Sequence, residues 1–337
     1  MALSDLQVFQ EEAYTEMSEA LQENVTLFNS ATMGGLVLAS AAHQGDFSTE
    51  AFWQRLDGLV RHRDPYLKNG AIPEKELSMG TRTSVKFASG TPELRMDAAW
   101  LTWLQKDPVE AGVIFGRQLA EQRLQAQVYT ALSAFIAAIR TEGSNVYDHS
   151  AQTENGGKAC LQAMLRAAAK MGDQASNVNC WVMHSKSVTD VYEQTLANAE
   201  RLFSFGTVIV VTDAQGRPII QTDAAPLFTT DITGDDVVPG DGGTADDRYF
   251  LCGLTSGAVV LESNSDFNQN MSTTNGNENI KSTYQAEWSE QIGVKGFTWD
   301  TAAGGKNPTT AELATGTNWD KVVDSNKSLA GVLAIVK

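Results

Sequence analysis

A helical pattern over residues 107–142 predicts the longest single element of this chain. Its start places Asp107 at the N-cap, Pro108 at the first helical position and Glu110 at N3, and each of these favours helix entry. The apolar residues at helical spacing, which we expect to face a core, are Val113, Leu119, Ala120, Leu124, Val128, Ala131, Leu132, Phe135 and Ile139. At about 1.5 Å per residue the helix would reach roughly 50 Å. The pattern predicts a spine helix to which the other elements attach.

Residues 3–29 carry a second amphipathic pattern, with apolar positions on one face and glutamates on the other. The glutamates are Glu11, Glu12, Glu16, Glu19 and Glu23. A single helix at the start of a chain has no core of its own. We therefore expect an arm that docks on another surface, which in an assembly can belong to a neighbouring subunit.

Residues 45–92 predict two extended segments joined by a tip that is rich in turn residues. The tip has too few apolar residues to form a core, so we expect an extended hairpin that reaches away from the body. The charged residues that we expect to contact a neighbouring subunit are Arg61, Arg63, Asp64, Lys68, Glu74, Lys75, Glu76 and Arg82.

The second half of the chain alternates between helical and strand patterns. We expect helices over residues 157–172 and 185–201, and strands over 180–184, 208–212, 218–221, 249–251 and 258–261. An acidic, glycine-rich loop over residues 231–247 interrupts them. A long strand is predicted over residues 283–299, and an apolar tail follows at 329–336.

Charge and cysteine content exclude several classes of protein. With 41 Asp plus Glu against 25 Lys plus Arg, the formal net charge is −16, and a surface this negative disfavours tight non-specific DNA binding. Three widely separated cysteines indicate buried thiols in a reducing cytoplasm. The N-terminus lacks a signal-peptide pattern, and no apolar window is long enough to span a bilayer. We expect a cytosolic product without a membrane partner.

The sequence indicates no catalytic constellation. The four histidines have no His or carboxylate at metal-ligand spacing, and the spacings of a nucleophile elbow and of a phosphate loop are not met. Carboxylates in the loop over residues 231–247 could bind calcium, although crowded carboxylates on a loop are usually just solvated. We predict neither an enzyme nor a cofactor.

The order of arm, hairpin, long helix, α/β region and returning strand resembles that of tailed-phage major capsid proteins, which share the Hong Kong 97 fold. Local stretches that also match span nearly the whole chain. They are Met1-Ala-Leu-Ser-Asp-Leu, Ala41-Ala-His-Gln-Gly-Asp-Phe, Gln105-Lys-Asp-Pro-Val-Glu-Ala-Gly, Trp181-Val-Met-His-Ser-Lys, Ser204-Phe-Gly-Thr, Asn277-Glu-Asn-Ile, Tyr284-Gln-Ala-Glu-Trp-Ser, Gly293-Val-Lys-Gly-Phe-Thr-Trp-Asp, Leu313-Ala-Thr-Gly-Thr-Asn-Trp-Asp-Lys and Ala330-Gly-Val-Leu. Each stretch is weak by itself, and their conserved order makes the resemblance specific.

The resemblance implies an α+β Hong Kong 97-like capsid fold with a peripheral domain and an axial domain. Its parts would be an N-terminal arm at 1–40, an extended hairpin loop at 41–95, a peripheral domain with the spine helix at 96–145, an axial α/β domain at 146–264 and peripheral return strands at 265–300. The resemblance does not place the C-terminal segment, 301–337.

The resemblance also implies a partner set. The subunits would form pentamers and hexamers in an icosahedral shell that encloses double-stranded DNA without sequence-specific binding. The shell would belong to the virion and assemble in the cytoplasm of the bacterial host. Scaffolding would come from a separate protein, because the chain begins almost at once with the arm. A portal and a decoration protein would be further partners. No motif assigns a crosslinking Lys–Asn pair.

Two alternatives stay open from the sequence. An encapsulin-like shell of a cellular compartment would share the same mechanical features. An α/β metal-dependent enzyme, with the acidic loop as its metal site, would instead form a small oligomer with a deep pocket.

Overall fold

The computed structural model describes residues 3–54, 58–63, 65–66, 72, 74–95, 108–152, 154–194, 201–205, 208–212, 216–229, 248–275 and 280–337. The helices are α1 (Leu3–Ala31), α2 (Pro108–Thr141), α3 (Leu161–Ala169), α4 (Ser185–Gln194) and α5 (Thr310–Leu313). The strands are β1 (Leu36–Ser40), β2 (Phe47–Trp53), β3 (Met79–Gly90), β4 (Leu94–Arg95), β5 (Val146–Asp148), β6 (Val178–Met183), β7 (Arg201–Phe205), β8 (Val208–Thr212), β9 (Pro218–Gln221), β10 (Phe228–Thr229), β11 (Arg248–Thr255), β12 (Val259–Ser263), β13 (Asn268–Asn275), β14 (Ile280–Val294), β15 (Phe297–Trp299), β16 (Trp319–Lys321) and β17 (Gly331–Val336).

The first sheet is organised around β14, the longest strand. Its order is β1-β12-β14-β3-β2, and β13 and β4 also pair with β14. β1 pairs with β12 in parallel, whereas β14 runs antiparallel to β12, β13, β3 and β4. Segments from the first third and the last third of the chain therefore meet in one sheet.

The second sheet has the order β5-β17-β11-β6-β9-β8-β7, with β10 paired to β11. The predicted axial segment, 146–264, supplies most of these strands, but its last strand, β12, lies in the first sheet. The C-terminal segment that the sequence left unplaced ends in β17, which lies between β5 and β11 and is buried along its whole length.

The spine helix α2 lies between the two sheets. The helix predicted over residues 107–142 runs from Pro108 to Thr141, while Asp107, its predicted N-cap, lies outside the described residues. Residues 130–139 are all buried, because this part of the helix packs in one hydrophobic core with strands of both sheets. Of the predicted core residues, Val128, Phe135 and Ile139 are buried, whereas Val113 and Leu124, nearer the start, are half-buried. Among the described helices, none is both long enough and apolar enough to cross a membrane.

The arm helix α1 docks on the first half of α2 in its own chain. Phe9, Ala13 and Met17 are buried there. The two backbones approach closely, because a Cβ at Gly112 would lie 2.9 Å from the carbonyl oxygen of Phe9, and one at Gly116 would lie 2.6 Å from that of Ala13. Only glycine allows such an approach. The contact that the amphipathic pattern required is therefore made within the subunit.

We expect Gly116→Ala to destabilise the docking of α1 by roughly 1–3 kcal/mol, because the new methyl group forces two packed backbones apart. Helix propensity alone would favour alanine by about 1 kcal/mol. Gly143→Ala is the matched control, since nothing lies within 4 Å of a Cβ there. Thermal unfolding and the rate of proteolysis within α1 measure the effect. Equal behaviour of the two variants would contradict the close helix contact.

The structure corrects three predicted elements. The helix expected over residues 185–201 is α4, Ser185–Gln194, and Arg201 already belongs to strand β7. The strand expected over residues 283–299 is two strands, because the turn at Lys295 and Gly296 separates β14 from β15. Gly296 has a φ of +83°, in the left-handed region that glycine adopts without strain. The helix expected over residues 157–172 is shorter and spans Leu161–Ala169, since glycines 156 and 157 precede it with positive φ.

Candidate assembly surfaces

The extended hairpin predicted from the sequence consists of β2 and β3. The two strands pair in register from Phe47 opposite Val85 to Trp53 opposite Met79. At the base Val85 and Phe87 are buried in the main core, and β3 continues there as a partner of β14. Exposure rises toward the distal end, where Trp53 and Met79 are each 63% exposed. The hairpin is anchored at one end and exposed at the other.

Strand β15 and the C-terminal segment hold the base of the hairpin through side chains. The backbone N–H of Thr83 donates to Thr298 Oγ1 at 2.9 Å, and the N–H of Ala88 donates to Asn307 Oδ1 at 2.7 Å. Lys306 Nζ also lies 2.7 Å from an Asp46 carboxylate oxygen. The two hydrogen bonds give partners to backbone N–H groups on the unpaired edge of β3. Together with the ion pair, they fix the direction in which the hairpin leaves the body.

The distal part of the hairpin exposes seven large apolar side chains. They are Trp53, Leu59, Val60, Tyr66, Ile72, Leu77 and Met79. Val60 is 95% exposed and Tyr66 is 90% exposed, values that are unusual for side chains of this size in a lone folded subunit. Exposed apolar side chains gathered in one region mark an interaction site. The sequence analysis missed this surface because it treated these residues as scattered. The signal was nevertheless present, since these apolar residues stand among turn residues and follow neither a helical nor a strand period.

Five of the predicted charged contact residues lie on the same part of the hairpin. Arg61, Arg63, Glu74, Lys75 and Glu76 are exposed. Arg82 donates to Glu50 Oε2 of the opposite strand at 2.6 Å, and is thereby held within its own hairpin. Asp64 and Lys68 lie outside the described residues.

A buried polar cluster connects α2 with the first sheet. Gln127 Nε2 donates to Glu290 Oε1 at 2.8 Å, and Arg123 Nε lies 3.4 Å from the same oxygen. Arg123 also donates to Ser263 Oγ at 2.5 Å and lies 4.9 Å above the ring of Trp288. Burial lowers the pKa of the Arg123 guanidinium, while the charge of Glu290 and its hydrogen bond oppose that shift. The sequence offered no signal for this pair, because its members are 167 residues apart.

The described residues contain no group of three His, Cys, Asp or Glu side chains that could hold a metal ion. The acidic loop over residues 231–247, the candidate calcium site, lies outside them. Cys160 Sγ lies 3.4 Å from His149 Nε2, but both residues are buried, and the sulfur accepts the N–H of Ala163 at the start of α3. Burial raises the pKa of Cys180 to about 12, so that thiol stays protonated.

Comparisons with known proteins point to one class. A family model described as Gp13-like, major capsid protein 13-like, matches residues 5–333. The head structure of Helicobacter pylori bacteriophage KHP40 is similar with a TM-score of 0.51 at 12% identity, over 89% of this chain and 86% of that chain. The cyanophage Pam1 capsid asymmetric unit is similar with a TM-score of 0.47 at 13% identity, over 87% of this chain and 85% of that chain. The capsid of Ralstonia phage GP4 is similar with a TM-score of 0.48 at 9% identity, over 77% of this chain and 82% of that chain.

No curated protein is significantly similar to this chain. The likeness to the KHP40 head shows a shared fold, and the Hong Kong 97-like α+β fold predicted from the sequence is confirmed.

Proposed function

This chain belongs to the Gp13-like family of major capsid proteins, and we propose on that premise that its copies close into an icosahedral shell around the double-stranded DNA of a tailed phage. It is a shell-forming phage major capsid protein whose location is the virion capsid, and it assembles with copies of itself. The chain is thus a structural protein, and we further propose that it has no enzymatic activity.

The observation that supports the proposal best is the apolar surface of the distal hairpin. Fully burying one Val, Leu or Phe side chain is worth about 1.5–3 kcal/mol, whereas an exposed ion pair contributes roughly 0–1 kcal/mol. The exposed apolar side chains, Val60 and Tyr66 foremost, therefore supply more contact energy than the charges around them. In this proposal the charged residues Arg61, Arg63, Asp64, Lys68, Glu74, Lys75, Glu76 and Arg82 set the register between neighbours.

Assembly multiplies these modest contacts. A closed shell of identical subunits repeats each hairpin contact many times, and contacts after the first form at high effective concentration. Pentamers and hexamers built around the axial segment, residues 146–264, would then be held together by hairpins that lie over neighbouring subunits. The net charge of −16 fits a container that does not adhere to the DNA inside it.

The further partners follow from the same proposal. A separate scaffolding protein would direct closure in the cytoplasm of the bacterial host. A portal and a decoration protein would be further partners. Family membership favours the phage shell over the encapsulin-like compartment, and terminase and portal genes beside the gene would distinguish the two.

The size of the purified assembly tests the proposal. We expect closed shells or ring-shaped capsomers in electron micrographs and in analytical ultracentrifugation, with the chain expressed alone or with its scaffold. Only monomers or dimers at high concentration, with the scaffold present, would refute it.

A further inference from the structure

Strand β13 is an edge of the first sheet. All eight of its residues pair with β14 on one side. On the other side, no further strand of the described chain pairs with it. The four residues at its C-terminal end, Ser272 to Asn275, are all exposed. This end of β13 is therefore accessible to a strand of another chain.

The hydrogen bonds of β14 show which backbone groups of β13 face outward. Ala286 of β14 accepts the N–H of Thr91 at 2.8 Å and donates its own N–H to Thr91 Oγ1 at 2.9 Å, so its backbone points away from β13. Ala286 is paired with Gln269 of β13. Because the direction of the backbone groups alternates along an antiparallel strand, every second residue from Gln269 onward faces the open edge. The carbonyl of Gln269 agrees with this direction, since it accepts Gln10 Nε2 at 3.3 Å.

Three residues on this edge keep their backbone groups available. They are Met271, Thr273 and Asn275, whose outward N–H and C=O groups have no hydrogen-bond partner within the part of the chain that the structure describes. Edge strands that stay single usually carry a charge, a proline or a bulge. β13 has none of these, because its sequence is Asn-Gln-Asn-Met-Ser-Thr-Thr-Asn and its register with β14 is continuous. Its edge is thus unprotected against the addition of a strand.

The chemistry of β13 favours a second copy as the partner. The chain carries a net charge of −16, and an uncharged strand lets two such chains meet without placing like charges opposite each other. Two identical strands are also complementary when they run antiparallel, because a two-fold axis exchanges their donors and acceptors. We propose that β13 of one subunit pairs antiparallel with β13 of a second copy, an inference that rests on the proposed shell function. Such pairs would join the first sheets of two subunits that belong to neighbouring capsomers.

The direction of the backbone groups also determines the register of this pair. Hydrogen-bonded pairs form only between residues whose groups face outward. The register that uses all three places Thr273 opposite Thr273 of the second copy, and Met271 opposite Asn275 of the second copy. Ser272 then lies opposite Thr274 of the second copy, where the two hydroxyl groups can form a hydrogen bond.

Opposite charges at residue 273 test the pairing. Thr273→Lys should reduce the yield of closed particles at least tenfold, and so should Thr273→Glu, because like charges then face each other across the axis. Assembly of the two variants mixed in equal amounts should restore most of the yield, since lysine then faces glutamate. Both variants should melt like the unmodified subunit, because an edge strand accepts a charge.

Gln285→Lys is the matched control for the charge change. Gln285 is exposed on the adjacent strand β14, and the substitution changes the net charge as Thr273→Lys does. We expect the control to form particles in normal yield. Normal assembly of Thr273→Lys, an equal loss in the control, or no recovery in the mixture would overturn the proposal.

A single cysteine identifies the partner strand directly. Thr273→Cys should link subunits in pairs under mild oxidation, because the axis brings residue 273 to a Cα distance of about 5.5 Å from its copy, within the range of a disulfide. The native cysteines are buried and do not compete. Gln285→Cys is the control, because three strand spacings, about 14 Å, would separate the two copies of that residue.

The outcome of the cysteine test separates the pairing from the shell function. Absence of linked pairs, or linkage only to a co-expressed protein with a surface cysteine, would refute the pairing. If the unmodified chain forms no particles, the shell function fails, and linkage of Thr273→Cys subunits at high concentration still decides whether β13 pairs with itself.

Discussion

Replacing residues 65–77 by a short Gly-Ser turn should give a folded subunit that no longer closes into stable particles. The replaced segment contains Tyr66, Ile72 and Leu77, all exposed, so its removal takes little from the core. We expect the melting temperature of the subunit to change by no more than about 3 °C, since a chain of this size moves only a few degrees per kcal/mol. The loss of the apolar contact between neighbours should instead appear in the assembly, where each missing contact is repeated in every subunit.

Electron microscopy of the assembly reaction and calorimetry of the subunit measure the two effects separately. The matched control replaces the exposed turn at residues 301–303 by Gly-Ser-Gly, which changes a similarly exposed segment far from the tip. Normal, heat-resistant shells from the tip variant would contradict the role given to the hairpin. Intermediates held by the charged residues should also weaken at high salt, because screening shortens the reach of exposed charges.

Glu290→Ala should cost the subunit about 3–5 kcal/mol, because it leaves the Arg123 guanidinium buried without its counter-charge. The Arg123 side chain is only 5% exposed, and its guanidinium cannot turn to solvent without opening the contact between α2 and the sheet. Replacing both residues, as Arg123→Met with Glu290→Met, should recover most of the loss, since apolar side chains of similar volume tolerate that site. Urea unfolding of Glu290→Ala measures the first loss, and urea unfolding of Arg123→Met, Glu290→Met, the double variant and the unmodified chain gives the coupling between the two residues.

An exposed ion pair serves as the control for this cycle. Lys281 Nζ lies 2.8 Å from Glu93 Oε1, with side chains 34% and 58% exposed, and Glu93→Ala should cost less than about 1 kcal/mol. A loss for Glu290→Ala no larger than that of Glu93→Ala would mean that the buried pair is solvated in solution.

The parts of this fold that the sequence predicted are those encoded by neighbouring residues. The spine helix was visible because its caps and its apolar residues, from Val113 to Ile139, lie within one continuous stretch. The hairpin was visible because a β-prone run follows a turn-rich one, and the structure pairs Phe47 with Val85 as two such segments require. Local periodicity and turn chemistry are sufficient for elements of this kind.

The parts that the sequence did not predict depend on contacts between distant segments. Nothing near Gly116 indicates that the carbonyl of Ala13 will lie against it, and nothing near Arg123 points to Glu290. The apolar run at residues 331–336 could have been recognised as a strand, but its position between β5 and β11 depends on pairing across the whole chain. The charged residues of the tip were predicted as contacts, which stays a prediction, whereas the exposed apolar side chains beside them were undervalued.

The position of β17 also determines when the second core, the one packed on the second sheet, can form during synthesis. β5 and β11 do not pair with each other, and each reaches the other only through Gly331–Val336. A ribosome delivers the chain from its N-terminus, so every other strand of that sheet leaves it before β17 does. A nascent chain therefore remains without its second core until translation has passed residue 336. Neighbouring chains on one messenger RNA cannot begin to associate as finished subunits before β17 has been made, so the synthesis of β17 becomes the step that makes each copy competent to join a shell.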